Sequence, residues 1–164
     1  MSDKPTDPVM RELAAMETGS AVALVGHPIH AMLVHFPIAL AVSVLGLDLL
    51  YWLAGDPFFA RAGTWAAGAA FLTGAAASLV GLVEVIAVKG IRNRGASWTH
   101  AAAAMSFLAA CAANWGLRFS GDYPVLPDGM ALSLLSTVFA GIAGWHGGKL
   151  IFDHGIALNL SQRD

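Results

Sequence analysis

Four apolar stretches, each near the roughly 20 residues needed to cross the hydrocarbon core of a bilayer, occupy most of this chain. The first runs from about Pro28 to Ala54, opened by Gly26-His27-Pro28 and closed by Gly55-Asp56-Pro57. The second runs from about Gly63 to Val88, before the break from Lys89 to Gly95. Ser97 is a candidate N-cap for the third, which reaches about Leu117 before Arg118 and a turn-rich stretch. The fourth runs from about Met130 to Phe152. No period-two alternation appears, which argues against a membrane barrel. Short connections then predict an all-α, integral membrane, four-helix up-down-up-down bundle.

Composition agrees. The 164 residues are 57% hydrophobic and only 12% charged, whereas a soluble domain carries about 25% charged residues. The same balance excludes disorder. A net charge of −2 offers no basic surface, so no nucleic-acid partner is expected. Cys111 is the single cysteine and cannot form an internal disulfide. It lies mid-helix among apolar residues and reads as inert.

The chain divides into an N-terminal segment (1–20), a membrane domain (21–158) and a tail (159–164). The first segment carries four acids against Lys4 and Arg11, with no apolar run of a secretory signal. Asp7-Pro8 opens a short interfacial helix through Glu17. With four crossings, Lys4, Arg11, Lys89, Arg92, Arg94, Lys149 and Arg163 share one side, against Arg61 and Arg118 on the other. That asymmetry makes the first side, with both termini, cytoplasmic. The tryptophans near the segment ends read as aromatic belts.

Small residues at spacing four, Ala70-Gly74-Ser78 and Ala140-Gly144-Gly148, suggest faces for close helix packing or a wall for a flat prosthetic group. Pro37 inside the first helix predicts a kink beside His35 that aims it inward. Asp48 is expected to pair with Arg61, Arg118 or Asn114.

All six histidines, His27, His30, His35, His100, His146 and His154, map to the cytoplasmic half. Glu84 joins them near the end of the second helix, and an ionisable group inside a membrane helix points to a site. Helical rise places His35, Glu84, His100 and His146 in one layer. Two imidazoles from different helices can ligate haem iron from opposite faces, and the first and third helices are diagonal. His35 and His100 are therefore the expected axial pair, with Lys89, Arg92 and Arg94 near haem propionates. Glu84 is expected to accept a hydrogen bond from a ligand imidazole. The competing chemistry is a zinc, copper or iron ion held by His and carboxylate ligands, in a metal module or a non-catalytic subunit of a larger complex.

The stretch His27-Pro28-Ile29-His30-Ala31-Met32-Leu33-Val34-His35-Phe36-Pro37-Ile38-Ala39-Leu40 resembles the opening signature of a family of membrane proteins, domain of unknown function 2231. Gly147-Gly148 followed by His154-Gly155 resembles its ending, and Glu84 and His100 fall at its acid and third-helix histidine. Ala31 stands where the family has a second proline, and His146 where it has an apolar residue. The family is in turn similar to four-helix b-type cytochromes. That likeness implies haem. The expected protein is a small haem b protein of a bacterial inner membrane, in contact with lipid and passing electrons rather than catalysing; a respiratory-chain or quinone partner and homo-oligomers are the further partners considered, and a quinone-facing accessory subunit of a respiratory complex is a third reading.

Overall fold

The computed structural model describes Pro8 and residues 18–119 and 125–156. Apart from Pro8, the expected helix through Glu17 lies outside the described residues, as does the tail. A two-residue ribbon, β1 (Ala23–Leu24) against β2 (His27–Pro28), opens the described chain. It turns through Val25 (φ 50°) and Gly26 (φ 78°), both left-handed. That conformation is cheap for Gly26 and strained for a β-branched Val.

Helix α1 (Ile29–Leu33) is separated at Val34 from α2 (His35–Ala54). Pro37 explains the break, because it has no N–H to donate to the Leu33 carbonyl and its ring crowds that carbonyl. Gly55 (φ 67°) ends α2, donating to the Tyr51 carbonyl at 2.8 Å. Asp56 then caps α3 (Pro57–Ala87), its side chain accepting from the Phe58 amide, with Pro57 in the first turn. One turn, α4 (Lys89–Arg92), occupies the expected break, and α5 (Gly95–Phe119) and α6 (Met130–Phe152) follow. Ser97 is not a cap: it is buried inside α5, and its hydroxyl has no partner among the described residues.

The long helices pack in a ring, α2 on α3, α3 on α5, α5 on α6 and α6 on α2. Among the described residues, three stretches are long and apolar enough to cross a membrane: Ile29–Ala54, Pro57–Ala87 and Val125–Phe152. In α5 the alanines, Asn114 and Arg118 dilute the apolar character.

Large side chains face outward. Trp65 is 80% exposed and Trp145 72%, while Ala41, Ala70, Phe107, Cys111 and Ala140 form a core. In water such a surface would aggregate; in lipid it is the favourable arrangement. Buried positions step by four and three: Pro37, Ala41, Val44 and Asp48 on α2; Ala67, Ala70, Gly74, Ala77 and Glu84 on α3; Ser133, Ser136, Ala140, Ala143 and Leu150 on α6. This is the spacing of a packed helix seam. It corrects the expected row Ala140-Gly144-Gly148, since Gly144 is exposed and a methyl there would touch nothing.

Candidate functional site

Polar residues on these seams gather at opposite ends of the helices. At one end the Asp48 carboxylate accepts from Arg118 Nη2 at 2.6 and 2.9 Å and from the Ser133 hydroxyl. Arg118 Nε donates to Asn114 Oδ1 at 2.8 Å, and Asn114 Nδ2 to Ser133 Oγ at 2.9 Å. The expected pairing of Asp48 is thus with Arg118. Ser133 was not foreseen, although its place on the α6 seam marks it. Gly63 makes the room, because a methyl there would stand 2.9 Å from Arg118 Nη1.

At the other end stand His30 and His100. The Nδ1–H of His30 donates to the Ala77 carbonyl at 2.8 Å, and that of His100 to the Ala143 carbonyl at 3.1 Å. A carbonyl only accepts, so each ring carries a proton on Nδ1, and in the neutral form the lone pair is on Nε2. The ring centroids are 6.2 Å apart with planes at 84°. Each ring occupies space that a glycine leaves. A methyl on Gly81 would come within 2.8 Å of His30 Cε1, and one on Gly147 within 3.2 Å of His100 Cε1.

His35 is not the partner of His100. It is exposed, its Nδ1 3.3 Å from the Met32 carbonyl, and it lines an outward groove with Leu24, Ile29, Met32, Leu33 and Phe36. The chain break falls at Val34, and Pro37 rather than His35 turns inward. His27 is also exposed, bonded to its neighbour Val25 through the carbonyl at 2.9 Å. His146 is half-buried and within electrostatic reach of His100, and His154 is half-buried beyond α6. Glu84 accepts no imidazole proton among the described contacts. Its carboxylate takes the Ser20 hydroxyl and the amides of Ala21 and Val22, the amides at 2.7 and 3.0 Å. The chain before α1 folds back over α3 and brings these donors to it. Arg92 and Arg94 donate to the Ile86 and Gly90 carbonyls, closing turns of their own loop.

Among the described residues, no three His, Cys, Asp or Glu side chains converge as a metal site. The His30–His100 pair brings two imidazoles from separate helices to a centroid distance of 6.2 Å. Imidazole nitrogens bind metals at roughly 2.0–2.1 Å; two rings flanking one metal therefore have centroids about 6 Å apart. Donation of the second ring nitrogen to a backbone carbonyl is the usual orientation of a ligating histidine. By chemistry, His30 and His100 are residues that could hold a metal centre through ring nitrogens.

A family model described as "Predicted membrane protein (DUF2231)" matches residues 26–159. The chain belongs to that family. No curated protein and no solved structure matches it. The DUF2231 match begins at Gly26, so it spans both histidines of the pair as well as Glu84 and Gly147.

Proposed function

We propose that this chain is a small electron-transfer protein holding b-type haem between His30 and His100. The observation that carries the reading is the pair itself: two imidazoles on separate helices, ring centroids 6.2 Å apart, each held by a backbone carbonyl through Nδ1. In this reading α5 is a fourth span despite its polar residues, since Asn114 and all of the Arg118 guanidinium but Nη1 find partners inside the protein. The four spans then run up-down-up-down in a bacterial cytoplasmic membrane, with the histidine end and both termini cytoplasmic.

Bound haem would supply one-electron chemistry. The chain's own part is to hold and shield. Ala77 and Ala143 set the tautomers and ring orientations of His30 and His100 through their carbonyls. Gly81 and Gly147 leave the two rings room. The apolar seam beyond the pair, from Phe107 and Ala140 onward, lowers the local dielectric that tunes a redox potential.

Optical spectra of the purified protein test this. The expected result is an intense Soret band and a sharp reduced alpha band, abolished in His30→Ala and in His100→Ala and retained in His35→Ala. Loss in His35→Ala with retention in His30→Ala would refute the assigned pair. A colourless protein expressed with ample haem would refute the cofactor.

A further inference from the structure

His30 and His100 sit on foundations of very different strength. His100 rides on α5, anchored by buried Ser97, Phe107, Cys111, Asn114 and Arg118. His30 rides on α1, five residues with none buried. From Gly19 through Phe36 no residue is buried at all. Hydrogen bonds take the place of packing there. Thr18 Oγ1 donates to the Gly155 carbonyl at 2.9 Å, Ser20, Ala21 and Val22 converge on Glu84, and the Ile29 amide donates to Val22 at 3.0 Å. Glu84 itself is 7% exposed and belongs to the α3 seam. The segment also contains the strained turn at Val25 (φ 50°) and ends at the break before Pro37. Few buried contacts, a hinge at one end and hydrogen bonds at the other describe a unit that opens locally while the body stays folded.

We propose that residues 18–33 form a lid, hinged at Val34 and latched by the Glu84 carboxylate, whose opening carries His30 away from His100 and admits the cofactor between them. The purpose given to the opening rests on the haem reading above; the lid and its latch do not. Glu84 is then a positioning residue, acting on His30 through Val22 and Ile29 rather than by contact. His30 is the ligand that arrives last and leaves first.

Amide hydrogen exchange on the full-length protein in detergent tests the lid directly. In Glu84→Ala, protection of residues 20–33 should fall roughly tenfold or more, because three hydrogen bonds to a carboxylate are lost, while Ala41 to Asp48 keep theirs. Glu84→Gln, which keeps the acceptor oxygen, should fall by less. Unchanged protection at 20–33, or an equal loss throughout the protein, would overturn the lid. In parallel, haem transfer to excess apomyoglobin should quicken about tenfold in Glu84→Ala, in step with the exchange; selective exchange with an unaltered transfer rate would overturn the gating role. A wild type without haem defeats the haem reading and, with it, the gating role, and leaves the exchange comparison to decide the lid.

Discussion

Arg118 and Asp48 meet across a diagonal of the helix ring, 2.6 Å from Nη2 to Oδ2, with neither side chain exposed. Every donor and acceptor of the pair except Arg118 Nη1 has a partner, drawn from Asn114 and Ser133 on two helices. The pair ties α2 and α5, which share no helix face, and sits at the end farthest from the histidines.

Breaking one half of this pair leaves a charge stranded in an apolar interior. Asp48→Leu and Arg118→Met should each lose about 3–5 kcal/mol of stability, measured by unfolding in detergent. The double variant Asp48→Leu/Arg118→Met should be more stable than either single one, since apolar replacements of both partners carry no unpaired charge. Additive losses in the double variant would show that the ion pair has no coupling to measure.

Two glycines make a paired comparison. Gly81→Ala places a methyl 2.8 Å from the His30 ring and must displace it, so the haem spectrum should weaken or shift while the helices persist by circular dichroism. Gly144→Ala meets nothing within 4 Å and should leave the spectrum alone, adding about 0.5–1 kcal/mol from reduced backbone freedom. Equal spectra in both variants would remove the steric role of Gly81.

Orientation is tested by reporter fusions. The seven-to-two distribution of basic residues predicts that a reporter after Asp164 is cytoplasmic and one inserted within 122–128 is external. An external C-terminal reporter would invert the placement of the histidine end.

Helix boundaries were readable wherever local chemistry decides them. Gly55-Asp56-Pro57 closes the first helix as expected, but it also opens the second, six residues before the expected start at Gly63. Pro37 announced a break, and the structure places it at Val34. Depth along the helices put His35, Glu84, His100 and His146 in one expected layer, with His30 only at the helix start. Phase was not readable. His30 and His35 lie five residues apart, about 140° around an ideal helix, so only one can face a common seam. Stepping back from Asp48 through Val44, Ala41 and Pro37 by four and three reaches Val34 and then His30, never His35. The same stepping links Ala77 through Gly81 to Glu84, and Asn114 through Cys111 and Phe107 to His100. Glu84 failed differently. Its partners Ser20, Ala21 and Val22 come from an entering segment 62–64 residues away, and no periodicity on α3 could reveal them.

The interior built from alanine, glycine and serine has a practical consequence for mutagenesis. Truncation to alanine, the habitual way of locating a core, would report little here, because Ala41, Ala70, Ala77, Ala140 and Ala143 are already at that size. The informative scan runs the other way. Enlargement to leucine at each position would trace the seams as a ladder of failures spaced by three and four, while the same change at outward Ala39 or Ala76 would pass unnoticed in lipid.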